Sequence, residues 1–238
     1  MIISDDGLAR PRGAEHLHLV QFYGAEPREL VAQLEAYIRE GLAAGSAILV
    51  VATPEHTDAI LAALPVAADG RDPARAITFL DARTTLERFM VDGRPDWRRF
   101  EQTVGGIVRG LRRSAPGGTL RVYGEMVGLL WQAGETDAAV CLERFWNVLL
   151  GDDEFALFCG YPIDVFSDDL SAARDLLHAH THVLYGAEDA ARASALEAAT
   201  RDVLGAGGAE VGERTSAVAA DLAAKIFARA RTYYDQCA

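Results

Sequence analysis

Short apolar runs alternate with amphipathic segments along the first three quarters of the chain. Five runs have the length and the apolar content of buried strands, namely 17–22, 47–52, 77–80, 119–123 and 155–160. Seven segments between and after them carry apolar residues at helical spacing, namely 28–42, 54–64, 82–90, 97–113, 125–132, 135–150 and 168–182. The alternation predicts an α/β domain with a mostly parallel sheet between two helical layers.

The pattern divides the chain into three parts. Residues 1–15 are polar and interrupted by Gly and Pro, which predicts a flexible leader. Residues 16–185 hold the strands and are predicted to form one three-layer domain. Residues 186–238 are alanine-rich, with narrow apolar stripes and a break at 205–208. They predict a helical hairpin for output or dimerisation, packed either on the domain or on a second subunit.

Charge and cysteine content exclude several classes of function. The chain has 35 acidic and 23 basic side chains, a net charge of −12, which argues against binding to nucleic acid or anionic membranes. The first residues lack the basic and apolar regions of a signal peptide, and the longest apolar runs reach about half the ~20 residues of a membrane span. Three separated cysteines form no CxxC pair. We expect a cytoplasmic protein with reduced thiols.

Known catalytic and nucleotide-binding motifs do not occur in the chain. A P-loop needs GxxxxGK[ST], yet Lys225 is the single lysine and 22 of the 23 basic residues are arginines. The patterns GxGxxG and GxSxG are absent as well. Cys159, at a strand end among apolar neighbours, is interpreted as a buried, inert thiol. We expect no catalytic residues and no cofactor.

The carboxyl ends of the predicted strands are the candidate ligand site, because open parallel sheets bind ligands there. Polar or aromatic residues end all five strands, namely Tyr23, then Thr53, Glu55 and His56, then Asp81, then Tyr123 and Glu125, then Tyr161. Arg121 lies in an apolar strand and must be paired or face a cleft. Capping explains Thr53, Glu55 and Glu125 equally well, and internal pairing with acidic residues would explain Arg121.

The histidines raise the question of a metal. His178 and His182 lie four residues apart in a predicted helix, a spacing found in some metal-binding pairs. No carboxylate or cysteine accompanies them at ligand spacing, so an interaction with the helix dipole is favoured. His18, in the first strand, could face inward as a core histidine. We therefore expect no metal site.

Seven ordered blocks of sequence resemble one family. They are 18–23, 52–56, 81–82, 92–96, 121–127, 142–147 and 159–162. Together they resemble the MEDS sensory domain of methanogen and methylotroph proteins and the dichloromethane-responsive repressor, over residues 16–185. The resemblance implies a RecA/KaiC-like α/β fold without a working P-loop, and sensing of small hydrocarbon derivatives. Such domains are commonly joined to a DNA-binding module or a histidine kinase, and 186–238 contain neither signature.

The leading hypothesis is a non-enzymatic sensor that binds a small molecule at the strand ends. Its C-terminal helices would signal to a protein partner, a kinase or regulator, in a homodimer. The predicted ligand-binding residues are Arg121 as anchor of an anionic or polar group, Glu125 and Glu143 to orient it, and Tyr23, Tyr123, Tyr161, His18 and His56 around the pocket. The alternatives are a ligand-free interaction scaffold and a degenerate nucleotide-binding enzyme of RecA-like descent.

Overall fold

The structure is a computed structural model of the 238-residue chain. It describes residues 2–3, 17–24, 27–64, 73–115, 119–166, 168, 170, 173–185, 190–204 and 216–237. Of the predicted leader 1–15, residues 1 and 4–15 lie outside these ranges, as do the segments 186–189 and 205–215. In the described ranges, no helix combines the length and the apolar character needed to cross a membrane.

Seven strands of the described chain form one sheet with parallel neighbours throughout. These seven strands are β1 (Ile2–Ile3), β2 (His18–Phe22), β3 (Ala47–Ala52), β4 (Ile77–Asp81), β7 (Leu120–Gly124), β8 (Ala156–Tyr161) and β9 (His182–Tyr185). Two further strands, β5 (Met90–Val91) and β6 (Arg94–Pro95), form a separate antiparallel hairpin. The order across the large sheet is β1-β9-β2-β8-β7-β3-β4. All five predicted strands are confirmed, with ends that differ by at most one residue.

Ten α-helices connect or follow the strands in the described residues. They are α1 (Arg28–Ala43), α2 (Pro54–Ala63), α3 (Ala82–Glu87), α4 (Trp97–Phe100), α5 (Gly106–Ser114), α6 (Met126–Gln132), α7 (Thr136–Asp152), α8 (Arg174–Ala179), α9 (Ala190–Leu204) and α10 (Ser216–Cys237). A π-helical turn, Glu101–Gly105, joins α4 to α5. Thr53 caps α2, as the capping interpretation of this residue expected, and Asp96 caps α4; both side chains accept backbone hydrogen bonds.

The predicted helix 168–182 is wrong over its last residues. The helix α8 ends at Ala179, and the chain continues as β9, which pairs with β2. Val183 and Leu184 are buried there, and the ladder with β2 satisfies their backbone groups. This pairing joins segments that are far apart in sequence, so local periodicity does not reveal it. His178 and His182 consequently do not share a helical face.

Two apolar cores lie on opposite faces of the sheet. On one face, α1 and α2 cover the strands with residues such as Leu34 and Ile60. On the other, α5 to α8 pack against the strands, and α9 and α10 extend that same core. Phe227 of α10, for example, meets Phe22 of β2 edge-on with ring centroids 5.9 Å apart. The described parts of α9 and α10 thus pack on the domain of the same chain.

The order in which strands are added to the sheet reverses between the parallel neighbours β3 and β7, since β3 is followed by β4 on one side and β7 by β8 on the other. The connection from β3 leaves through α2 on one face, and the connection from β7 leaves through α6 on the other. A crevice opens beyond the carboxyl ends of such a strand pair, and ligands of α/β proteins bind there. This geometry places the start of α2 and the start of α6 on either side of one crevice.

A close approach between α6 and β8 sets one wall of this crevice. A Cβ atom on Gly128 of α6 would lie only 2.7 Å from the backbone oxygen of Gly160. That distance is shorter than ordinary Cβ contacts, so any larger residue must push α6 away from the sheet. Glycine at position 128 therefore lets α6 pack directly on β8. This packing sets the distance of Glu125, just before α6, from the sheet.

We expect Gly128→Ala to lower the free energy of unfolding by about 1–3 kcal/mol, because overpacking against a backbone atom displaces α6. Gly110→Ala in α5 is the matched control, since a Cβ there meets no atom within 4 Å. That control should be neutral or stabilise by up to ~1 kcal/mol, the gain in helix propensity. Urea unfolding measures both variants, and equal effects would contradict the close approach.

Candidate functional site

A pocket of about 560 Å³ lies beyond the carboxyl ends of β2, β3, β7 and β8. Its lining combines aromatic, acidic and basic side chains that follow these four strands with Arg83, which follows β4; the others include Tyr23, Thr53, His56, Glu125 and Asp164. The pocket opens at the crevice where α2 and α6 begin. It is called the rim pocket below.

The carboxylate of Glu125 is the centre of the rim pocket. Glu125 follows β7 and is only 3% exposed. One of its oxygens, Oε1, accepts a hydrogen bond from the backbone N–H of Thr53. The other, Oε2, lies 2.5 Å from Nδ1 of His56 and accepts a hydrogen bond of 3.1 Å from the hydroxyl of Tyr123. Glu125 thus joins the end of β7 to the first turn of α2.

The pair of Glu125 and His56 favours the charged form of both partners. Burial opposes ionisation of Glu125, but hydrogen bonds from His56 and Thr53 outweigh it and lower the pKa of the carboxyl. The pKa of His56 is raised, mainly by its hydrogen bond to Glu125. Tyr23 stands edge-on to the His56 ring, with centroids 5.8 Å apart, and burial raises the pKa of its hydroxyl. A partly buried ion pair therefore faces the pocket.

A second polar group lies inside the protein, between the sheet and α7. It consists of His18 of β2, Glu143 of α7, Cys159 of β8 and His180 before β9, each at most 1% exposed. One donor atom from each of the four lies within 4.8 Å of the others, so among the described residues this group can hold a metal ion. It is called the buried cluster below.

Glu143 organises the buried cluster. Its carboxylate lies 3.3 Å from Nε2 of His18 and 3.3 Å from Nε2 of His180, and it accepts a hydrogen bond of 2.6 Å from the hydroxyl of Tyr161. Burial opposes its ionisation, yet the two histidines hold the pKa of Glu143 below its usual range. Burial raises the pKa of the Cys159 thiol, in agreement with the buried cysteine expected from the sequence.

The residues predicted to bind one ligand are therefore divided between two places. Tyr23, His56 and Glu125 line the rim pocket. Tyr123 contacts Glu125 from within the core. His18 and Glu143 belong to the buried cluster, and Tyr161 contacts it through Glu143.

Arg121 lies in neither place. Its Nη1 donates a hydrogen bond of 2.7 Å to the backbone oxygen of Tyr37 in α1, and the guanidinium lies 4.9 Å from the centroid of the Tyr37 ring. The carboxylate of Glu40 is 3.5 Å away. Arg121 stands three residues before the end of β7, about 10 Å along a strand. It is therefore paired internally, but with α1 rather than with Glu125 or Glu143.

Three residues of these sites were not predicted from the sequence. Arg83 lines the rim pocket two positions after the end of β4, and Asp164 lines it three positions after β8. The strand-end rule finds both if the whole following loop is included. His180 belongs to the buried cluster, and it was missed because the segment 168–182 was predicted as one helix. Its proximity to Glu143 depends on the pairing of β9 with β2.

Comparison with known proteins identifies the family. The family model described as "MEthanogen/methylotroph, DcmR Sensory domain" matches residues 17–181, which is more than half of the chain. The search of curated proteins and the search of solved structures each found no match. The matched range covers five of the seven strands of the sheet, the rim pocket and all four residues of the buried cluster, and the description indicates a sensory role. The resemblance seen in the sequence is thereby confirmed, and the chain belongs to the MEDS sensory domain family.

Proposed function

We propose that this chain is a non-enzymatic sensor whose rim pocket binds a small, neutral or cationic polar molecule. The observation that carries the proposal is the Glu125–His56 pair at the centre of a pocket of about 560 Å³. This volume suits a small organic molecule, since ligand pockets span roughly 300–1,000 Å³. The position of the pocket, at the reversal point between β3 and β7, and the sensory family both support it.

The charge of the pocket favours ligands that are not anions. A phosphate held by an α/β protein sits at the start of a helix, where backbone N–H groups point outward. At the start of α2 that position is taken by the carboxylate of Glu125, which accepts the N–H of Thr53. Acidic side chains also outnumber basic ones around the pocket. These features argue against the anionic ligand expected from Arg121 and against a nucleotide.

His56 is the side chain best placed to recognise such a ligand. Its Nδ1 is engaged by Glu125, so Nε2 is the ring atom that remains for a hydrogen bond into the pocket. The ring is about one-sixth exposed, with a relative side-chain accessibility of 17%. A carboxylate that holds a histidine ring also fixes its orientation, so the donor direction is set before a ligand arrives.

A short route connects the rim pocket with the C-terminal helices. Asp164 lines the pocket, and Nη1 of Arg192 in α9 lies 3.3 Å from its carboxylate. Arg231 of α10 donates to the backbone oxygens of Val165, at 2.5 Å, and Asp168. The loop after β8 therefore contacts the ligand site on one side and both helices on the other. We propose that occupancy shifts this loop and that a partner protein detects the change in α9 and α10.

Ligand binding can be tested by thermal unfolding with a set of small alcohols, amides and amines. A binder raises the unfolding midpoint by mass action, and isothermal titration then gives its affinity. Glu125→Gln should weaken binding at least about 10-fold, because loss of the charge releases His56 from its fixed orientation. Asp58→Asn, on the exposed side of α2, is the charge-matched control. Arg121→Ala should also bind as the parent does.

Three results would contradict this proposal. Tighter binding of ATP or inorganic phosphate than of any neutral or cationic compound would favour the nucleotide alternative. Equal affinities of the parent and Glu125→Gln for a binder would place the ligand outside the rim pocket. If no compound raised the unfolding midpoint of either the parent or Glu125→Gln, the result would favour the interaction scaffold.

The Glu125–His56 pair also predicts how stability depends on pH. The pKa of folded His56 is raised above its ordinary value of 6.5. The pair's contribution to the free energy of unfolding through His56 is therefore complete below pH 6.5 and is lost as the pH rises through the folded pKa. The pKa of folded Glu125 is lowered from 4.5, so its contribution is complete above that value and is lost as the pH falls through the folded pKa. Both contributions are complete between these two values.

We therefore expect His56→Gln to cost about 1–2 kcal/mol of unfolding free energy between roughly pH 5 and 6.5. The difference from the parent should shrink as the pH rises further. Denaturant unfolding of both proteins across pH 5–9 measures it, with Asp58→Asn as a control on the same helix. A difference that is constant over the whole pH range would show that the pair does not titrate as described.

A further inference from the structure

The buried cluster brings together nitrogen, oxygen and sulfur donors from four separate elements. His18 comes from β2, Glu143 from α7, Cys159 from β8 and His180 from the turn before β9. All four side chains are almost fully enclosed, at 1% exposure or less. Polar groups are costly in such a place unless each has a partner, so their convergence needs a physical explanation.

The distances between the donor atoms are close to those of a tetrahedral metal site. Nε2 of His18 lies 3.3 Å from Oε2 of Glu143 and 3.5 Å from Sγ of Cys159, and Nε2 of His180 lies 3.3 Å from Oε1 of Glu143. Zinc bonds of roughly 2.0–2.3 Å separate the ligand atoms of a tetrahedron by about 3.4 Å. Sγ of Cys159 is 3.9 Å from Oε2 of Glu143, and all four donors lie within 4.8 Å of one another, so small side-chain shifts would bring them to ligand-to-ligand distances around one point.

Contacts outside the cluster fix which nitrogen of each histidine faces this point. Asn147 donates from Nδ2 to the backbone oxygen of Ala179, so its Oδ1, 3.0 Å from Nδ1 of His18, must accept. The backbone oxygen of Leu176, 2.6 Å from Nδ1 of His180, can only accept. Both rings therefore carry a hydrogen on Nδ1, and each neutral ring turns the lone pair of Nε2 inward.

An unpaired atom shows that hydrogen bonds alone do not satisfy the cluster. Nε2 of His180 is fully buried, and its neighbour at 3.3 Å, Oε1 of Glu143, is an acceptor that cannot donate to the nitrogen lone pair. Two nitrogen lone pairs and a carboxylate facing one another repel unless a cation lies between them. Either a proton or a metal ion can supply that positive charge, and the presence of the Cys159 sulfur in the same group favours the metal.

We propose that His18, Glu143, Cys159 and His180 bind one Zn²⁺ ion in a structural site. Nε2 of each histidine, a carboxylate oxygen of Glu143 and the Cys159 thiolate are the four ligands. The Cys159 thiol loses its proton to solvent on binding, so thiolate and carboxylate together balance the two positive charges of the ion. Four protein ligands leave no open position, which is the arrangement of a structural site rather than a catalytic one.

The chemistry of the donors and their outer contacts supports zinc in particular. Nitrogen and sulfur ligands disfavour Mg²⁺ and Ca²⁺, which take oxygen ligands. Zinc-bound histidines usually donate their second ring N–H to a carbonyl or carboxylate, and Asn147 and Leu176 accept these hydrogens here. Tyr161 donates to Glu143 in the same way. This assignment replaces the expectation of no metal site, and it does not depend on the ligand of the rim pocket.

The test uses the full chain, purified without a polyhistidine tag and freed of metal by a chelator. Titration with Zn²⁺ should show one bound ion per chain and a higher unfolding midpoint. Titration with Co²⁺ should give the absorption of a tetrahedral ion and a sulfur-to-cobalt charge-transfer band. Cys159→Ser should lose that band, and Cys141→Ser, a half-buried cysteine on the same helix as Glu143, should keep it.

A second variant keeps the test informative if Cys159→Ser does not fold. Asn147 is exposed, and Asn147→Ala should weaken metal binding about 10–100-fold by releasing the His18 ring. A parent chain that folds but binds neither Zn²⁺ nor Co²⁺ at micromolar concentration would overturn the proposal and leave a protonated histidine as the partner of Glu143. Retention of the charge-transfer band in a folded Cys159→Ser would overturn the ligand assignment.

Discussion

Helices cover both faces of the parallel sheet, so a charged side chain near it must find its partners at the strand ends or inside the protein. Glu125 finds its partners at the strand ends, since it follows β7 and accepts hydrogen bonds from the start of α2. Glu143 finds its partners inside the protein, on the inner side of α7, where two histidines and a tyrosine surround it. Both candidate sites are thus consequences of placing a carboxylate next to a sheet that excludes water.

Strand β8 links these two sites physically. Cys159 and Tyr161 point from it into the buried cluster, and the loop that follows it forms part of the rim pocket. Between Cys159 and Tyr161, the backbone of Gly160 packs closely against α6. A metal in the cluster would tie β8 to β2, α7 and β9, and it would thereby hold one wall of the pocket in place. Stability of the core and shape of the pocket are coupled through this strand.

Patterns that are local in sequence were sufficient to predict most of the fold and part of the rim pocket. Apolar runs gave the five strands, and the strand-end rule led to Tyr23, His56 and Glu125. Arg121 was misplaced because alternation along a strand gives its face but not its distance from the strand end. His180 was missed because β9 is defined by pairing with β2, more than 150 residues earlier in the chain. Contacts at such separation leave no periodic signal.

The strong preference for arginine acquires a structural reason at the C-terminal hairpin. The guanidinium of Arg192 lies 5.1 Å from the ring of Phe166 and 5.5 Å from that of Tyr234, and it reaches Asp164 with one nitrogen. A planar guanidinium can stack on rings and bind a carboxylate at once, whereas a lysine ammonium offers only a point charge. Because Asp164 also lines the rim pocket, a cationic ligand bound there, as proposed above, would compete with Arg192 for its carboxylate. On the proposed function, the hairpin would then respond to the charge of the ligand.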